Sequence, residues 1–205
     1  MKKLLVIIAI LFYGVTSAQE KGTWVFGGEL NFSNGENDYI DSTSDYNAFG
    51  ITAKTGYVFI KNNLELGLGL GYSRSKNENS YSSSSSHYEN KYNSYTISPY
   101  VKKYLPINDT FSFFLQGEVA FSNYNRKQDY DNSDDTNIDG NTVFIGLRPG
   151  FVYFVTKNIA LNANIGALGY STNKYKSDNI TESKSNSFSF NLNSSNLIFG
   201  LSYYL

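Results

Sequence analysis

The single histidine of the chain, His87, stands beside the serine run Ser82 to Ser86, with Glu89 two residues further on. A hydroxyl, an imidazole and a carboxylate are the parts of a nucleophilic hydrolase, in which the imidazole takes the proton from the attacking oxygen. That chemistry needs the base held within hydrogen-bond reach of the nucleophile. A serine run without apolar anchors supplies no such scaffold, and no Gly-x-Ser-x-Gly elbow occurs. The tract reads better as a polar loop tip. A second cluster, Asp129, Asp131, Asp134, Asp135 and Asp139, offers carboxylate oxygens of the kind calcium takes. Its spacing is not that of an EF-hand: Asp134 stands where the loop glycine belongs and Gly140 where the bidentate glutamate belongs. A solvated acidic loop is the better reading. The absence of cysteine excludes disulfides, thiolate metal sites and a lipid-modified cysteine. With no phosphate loop or dinucleotide fingerprint either, no cofactor is expected.

A third set is more ordered. Glu29, Lys54, Glu65, Lys102, Glu118 and Arg148 fall one to each of six successive alternating segments, and their signs alternate. What these charges can do depends on the segments that carry them. The clearest runs from Leu64 to Tyr72, where Leu64, Leu66, Leu68, Leu70 and Tyr72 form one apolar face and Glu65, Gly67, Gly69 and Gly71 the other. A period of two is a strand, and alternating glycines suit the closely approached interior of a small closed barrel.

The same alternation recurs along the chain. The predicted strands are Thr23 to Ser33, Tyr46 to Phe59, Leu64 to Ser73, Asn93 to Leu105, Phe111 to Ser122, Thr142 to Val155, Ile159 to Ser171 and Ser187 to Leu205. Pro99 and Pro149 lie inside strands, where a lost ladder bond predicts a bulge or bend. In the last segment the apolar parity changes at Ser194-Ser195-Asn196, which a bulge would correct. Four long polar tracts, Asn34 to Asp45, Arg74 to Tyr92, Asn123 to Asn141 and Thr172 to Asn186, alternate with three short turns and read as loops.

Met1 to Ala18 carries Lys2 and Lys3, an apolar run from Leu4 to Tyr13 and small residues before Gln19, the pattern of a secretory signal. Residues 19–205 then form one domain. Without Lys2 and Lys3 it holds 15 basic and 18 acidic residues, giving no reason to expect nucleic acid. Strands of about ten residues, tilted about 45°, span roughly 25 Å, the height of an outer-membrane apolar band. Long loops at one end and short turns at the other are the asymmetry of such a barrel, which faces oil outward. The fold expected is all-β, an eight-stranded antiparallel up-and-down transmembrane β-barrel.

The C-terminal residues Gly200-Leu-Ser-Tyr203-Tyr-Leu205 resemble the β-signal of outer-membrane proteins, a glycine followed at three and five residues by hydrophobic side chains. Ile198 stands where that signal is often polar, and Leu205 where it usually ends in Phe. The mature chain is similar to the eight-stranded OmpX/OmpA-like barrels abundant in Bacteroidota, including Ser98-Pro-Tyr-Val-Lys-Lys-Tyr104 leading into the middle turn. The resemblance implies the outer membrane of a Gram-negative bacterium, contact with its lipid and lipopolysaccharide, and recognition by the barrel-assembly machinery through Gly200, Tyr203 and Leu205. It implies location more than activity. The expected role is non-enzymatic, structural or surface-interacting, with an extracellular partner met through four loops. The alternatives are a lipid A-modifying enzyme using His87 and a narrow pore. Under this parity Trp24, Tyr57, Phe59, Phe111, Tyr153 and Tyr203 form a periplasmic aromatic belt, with Phe32, Tyr72, Tyr95 and Phe121 near the outer one. Three lumenal ion pairs are expected: Glu29 with Lys54, Glu65 with Lys102, and Glu118 with Arg148.

Overall fold

A computed structural model describes residues 22–39, 42–59, 63–81, 86–130, 133–177, 180–192 and 198–205. The signal segment, Ser82 to Ser85, Asp131, Lys61 and the Ser194-Ser195-Asn196 parity change lie outside the described residues.

Every described element is a strand: β1 (Thr23–Tyr39), β2 (Ser42–Phe59), β3 (Leu64–Tyr81), β4 (Ser86–Pro106), β5 (Phe111–Tyr130), β6 (Ser133–Phe154), β7 (Ile159–Asn164), β8 (Ala167–Ser177), β9 (Ile180–Asn191) and β10 (Ile198–Tyr204). Each pairs antiparallel with its neighbours, and β1 pairs β10 from Val25↔Tyr204 to Leu30↔Phe199. That ladder closes the sheet into a barrel. β7 and β8 both pair β6 and form one interrupted strand, as do β9 and β10, so the ten segments make eight staves.

Parity decides which face is which. Trp24, Phe26, Leu30, Phe32, Leu66, Leu70, Tyr95, Ile97, Phe113, Leu115, Ile145, Leu147, Leu161 and Leu201 are exposed on the outer wall, while Val25, Glu65, Tyr100, Lys102, Gln116 and Glu118 are buried in the lumen. Such an outer surface is stable only against hydrocarbon. At the short-turn end Trp24 meets Tyr57 edge-on at 5.3 Å, Tyr57 meets Phe59 at 5.1 Å, and Phe111 lies 5.9 Å from Phe151. At the other end Tyr72 stacks beside Tyr95 at 5.1 Å.

Three sequence expectations need correction. The described residues of the four polar tracts are strand, not loop: β1 and β2 pair up to Tyr39↔Ser42, β3 and β4 up to Tyr81↔Ser86, β5 and β6 up to Tyr130↔Ser133, and β8 and β9 up to Ser177↔Ile180. A ladder in water needs backbone pairing but no apolar period, so it leaves no hydrophobic alternation to read; the register below is simply extended. Pro99 causes no bulge. The β4–β5 ladder lacks pairs at Ser98 and Pro99 but resumes in the same register at Tyr100↔Glu118. The bulge near Pro149 sits on the adjacent stave, between Asn164 and Ala167, where Ile165 N–H donates to the Pro149 carbonyl at 3.0 Å and Gly166 takes φ +117°. A left-handed φ of that size is glycine territory. The predicted seventh and eighth strands are therefore each broken. Asn164 faces Ile198 and Ala167 faces Asn191, so the two pairings lie three residues apart on one stave and seven apart on the other.

Candidate functional site

The lumen is built in layers. At the short-turn end Val25, Tyr104, Phe114, Val152, Ala160 and Tyr204 pack together, with Val58 and Phe154 against them. They come from the inward positions of six staves at their short-turn ends, and they close the barrel with apolar volume.

Above this lies a buried carboxylate. Glu65 is 1% exposed; Tyr100 Oη donates to its Oε1 at 2.5 Å and Tyr104 Oη donates to Oε2. Lys102 Nζ is 3.6 Å from Oε2 and sits 4.8 Å over the Phe114 ring. Two phenol donors and a nearby ammonium converge on one buried carboxylate, so its oxygens are not left without polar partners. Gly67 makes room for it, since a Cβ there would lie 2.3 Å from the Tyr100 ring and 2.6 Å from the Thr55 carbonyl.

The next layer holds two ion pairs. Lys54 Nζ is 2.5 Å from Glu29 Oε1, which also accepts from Asn164 Nδ2 at 2.8 Å. Arg148 Nε is 2.7 Å from Glu118 Oε1, and Gln116 Nε2 donates to Glu118 Oε2 at 2.7 Å. The structure thus brings together Glu29 with Lys54, Glu65 with Lys102, and Glu118 with Arg148. Tyr100, Tyr104, Gln116 and Asn164 were not singled out from sequence. Their signal was a polar or phenolic residue at an inward position low in a stave. Above the pairs a cavity of ≈ 340 Å³, lined with Asn31, Thr52, Ser73, Thr96, Ser98 and Ser122, lies on this charged floor.

Outside the apolar band the hairpins carry a second charge system. Lys76 pairs across from Lys91 and Lys91 from Lys127; two residues further out, Glu78, Glu89 and Asp129 form a parallel row. Like charges directly opposite would repel, so each lysine reaches an acid in the adjoining row. Lys76 lies 3.1 Å from Glu89, Lys127 lies 2.8 Å from Asp129 and 2.9 Å from Asp135, and Lys91 contacts Glu89. The hydrogen bond from Lys91 holds the Glu89 carboxyl below its usual range, and that from Lys127 does the same for Asp129. The hydrogen bonds that Lys127 donates to Asp129 and Asp135 raise its own pKa. Asp139 accepts from Asn125 at 2.9 Å. These carboxylates are spoken for by cations and amides, and no cluster of three metal-ligating side chains occurs among the described residues. His87 pairs with Ser80 in the β3–β4 ladder, eight residues beyond Tyr72 at the outer aromatic belt.

At the C-terminus Gly200 faces inward, where a Cβ would stand 2.8 Å from the Gly28 carbonyl, and Tyr203 and Leu205 face outward, exposed.

An apolar outer wall, a polar filled lumen and charged external hairpins define an integral membrane β-barrel. A sequence profile of the outer membrane protein beta-barrel domain matches residues 4–204. The chain belongs to that family and resides in the outer membrane of a Gram-negative bacterium. Among solved structures it is similar to a major outer membrane protein from Thermus thermophilus, at 13% identity over 91% of this chain and 100% of that one, with a TM-score of 0.55. It also matches Neisserial surface protein A (17% identity, 89% and 95% covered, TM-score 0.42). A third match is the N-terminal β-barrel domain of Pseudomonas aeruginosa OprF (12% identity, 91% and 98% covered, TM-score 0.42). No curated protein sequence matches.

Proposed function

We propose that the protein is a non-enzymatic barrel that mounts four ordered hairpins on the cell surface, where they interact with an extracellular partner. The observation that carries this reading is the pairing of a sealed periplasmic end with strands that continue well past the membrane. Solute passage is opposed by the apolar cluster around Val152 and Tyr204 and by the Glu65 layer above it. The hairpins are ladders tied by ion pairs, which gives a recognition surface low conformational entropy. The lysine row begins four residues beyond Tyr72, about 13 Å along the strand, a height suited to lipopolysaccharide phosphates. Assembly by the barrel-assembly machinery through Gly200, Tyr203 and Leu205 belongs to the same reading.

A lipid A-modifying role for His87 fits poorly. Its backbone lies about 26 Å along the strand beyond Tyr72, far from an acyl ester in the outer leaflet. The test has three arms: single-channel conductance in planar bilayers, lipid A mass spectra from cells with wild type and His87→Ala, and adhesion of cells whose β3–β4 hairpin is shortened in register. The expected outcomes are no conductance, identical lipid A and lost adhesion with the barrel still folded. Discrete channels or a lipid A mass change that depends on His87 would overturn the reading.

A further inference from the structure

On the hairpins the two faces of the sheet differ in kind. Outward positions carry the lysines and carboxylates described above. The inward positions between Ser75 and Asn79 on β3, Tyr88 and Ser94 on β4, Tyr124 and Gln128 on β5, and Thr136 and Gly140 on β6 hold a single charge, Arg126. The rest are phenols, amides, hydroxyls, a glycine and one isoleucine. Glu29, Lys54, Glu118 and Arg148 all stand in the lumen below, so enclosure alone does not keep charge off this face.

The pairing Ser75↔Tyr92↔Arg126 sets side chains of three strands in one row. Arg126 lies 6.0 Å from the centre of the Tyr92 ring, and Tyr92 lies 5.2 Å from Tyr124 with the rings tilted by 31°. A guanidinium and two phenol rings thus stand together as a stack of planar groups. Tyr124 is held by its 3.0 Å bond to Asn173, and Tyr88 accepts from Gln128 Nε2 at 3.0 Å, so the rings are positioned before any ligand arrives. Arg126 is not satisfied in this way. The neighbouring outer-face acids are taken by Lys91 and Lys127, Arg126 has no acidic partner among the described residues, and its Nε and the Asn90 Oδ1 are enclosed without a hydrogen bond. The next row down, Ser73↔Ser94↔Tyr124, leads into the lumenal cavity, which Ser73 lines. From Ser73 to Asn79 the face rises about 20 Å, and its four strands span roughly 14 Å. It is a well at the mouth of the barrel.

Phenol rings match the C–H faces of sugar rings. Asn and Gln, each both donor and acceptor, match hydroxyls that are also both, and Arg forks onto a carboxylate while stacking on an aromatic plane. A polyanion fits poorly because one cation answers one negative charge, and a folded protein surface would find only Ile138 as an aliphatic anchor. Lateral neighbours in the membrane meet the outer face, whereas this one looks up the barrel axis to the medium. We propose that the inner face of β3 to β6 binds an oligosaccharide carrying one carboxylate, displayed by an extracellular partner, with Arg126 on the carboxylate and Tyr92 and Tyr124 against the sugar rings. The proposal rests on the surface-interaction reading above and names the chemistry of its partner. A carboxylate entering from the mouth supplies the acceptor that Arg126 lacks, after a side-chain rotation of the kind common on binding.

The test applies the full mature barrel in lipid nanodiscs to an array of defined oligosaccharides, each carboxylate-bearing member paired with its carboxamide. Binding of at least one acidic oligosaccharide is expected, at least tenfold weaker for its carboxamide and for the Arg126→Gln and Tyr92→Leu barrels. Asp139→Asn, on the outer face, should leave binding unchanged. Heat-dependent migration identifies folded variants, and either inner-face variant suffices. No oligosaccharide bound, or carboxamides bound equally, would overturn the proposal; adhesion that still depends on the β3–β4 hairpin would leave the surface-interaction reading standing without it. Adhesion that is lost in Arg126→Gln yet survives enzymatic removal of glycans from the target surface would assign the face to a polypeptide and overturn the glycan. Tightest binding to polysaccharide from the cell's own lipopolysaccharide would refute an external ligand.

Discussion

The Glu65 layer allows an asymmetric perturbation to be worked through. Glu65 accepts from Tyr100 at 2.5 Å and from Tyr104, with Lys102 at 3.6 Å. Lys102→Met removes the longest of the three contacts and leaves the carboxylate with both phenol donors. Met also gives up the ammonium's position 4.8 Å over the Phe114 ring. At an effective dielectric near 20, charges 3.6 Å apart attract by about 4–5 kcal/mol, and the desolvation of Lys102 avoided in the variant offsets much of that. A net loss of about 1–3 kcal/mol is expected. Glu65→Leu is worse: it strands the buried Tyr100 hydroxyl and a buried ammonium, while Tyr104 keeps only its 3.1 Å contact with the Tyr204 hydroxyl, and hydrogen bonds to a charged acceptor contribute about 1.5–3 kcal/mol each. A loss of about 3–5 kcal/mol follows, with Glu65→Gln between the two because it keeps an acceptor but no charge. Urea unfolding of protein refolded into lipid vesicles, followed by Trp24 fluorescence and gel migration, measures the ranking. Lys102→Met proving as costly as Glu65→Leu would refute the view that the phenols, rather than the lysine, hold this charge.

A double-mutant cycle of Glu118→Gln with Arg148→Met should give a coupling of roughly 1 kcal/mol or more, and strict additivity would mean the 2.7 Å pair is solvated piecemeal. Gly67→Ala should destabilise by about 1–3 kcal/mol, because its Cβ displaces Tyr100 from Glu65; an unchanged unfolding midpoint would contradict that packing. Brominated lipid should quench Trp24, and protease added to intact cells should cut within Arg74 to Tyr92 while sparing Lys157; cutting at Lys157 would invert the topology. The depressed carboxyls of Glu89 and Asp129 contribute order above their unfolded pKa values of about 4.5 and 3.8, and lose it as pH falls through their lower folded values. Amide exchange in the β3–β4 hairpin should therefore quicken below about pH 4 and in high salt, with the membrane staves unaffected.

Much of the barrel was legible because a strand's facing is a binary choice. Once Leu64 to Tyr72 alternates, Glu65 must face the lumen, and the same parity places Lys54, Lys102 and Arg148. The hairpins were not legible as strand because Arg74 to Tyr92 alternates between polar residues on both faces, and water rewards neither. The break after Asn164 was hidden for another reason: it answers to Pro149 on the adjacent stave, a contact separated by many residues in sequence. Strand parity turns Tyr100 and Tyr104 inward, but nothing local shows that both phenols reach one carboxylate.

Among the described residues the closing ladder is six pairs long, from Val25↔Tyr204 to Leu30↔Phe199, whereas β1 and β2 share seventeen. Mechanically this makes the barrel a curled sheet held by a short latch. A pull on the C-terminus loads the Leu205 to Trp24 backbone bond first and then peels β10 from β1 one rung at a time. A pull on β2 must instead overcome a far longer seam. Forced extraction should then begin at one fixed line on the circumference, with an initial rupture well below those that follow, and a barrel re-closing after force is removed has only those six rungs to find.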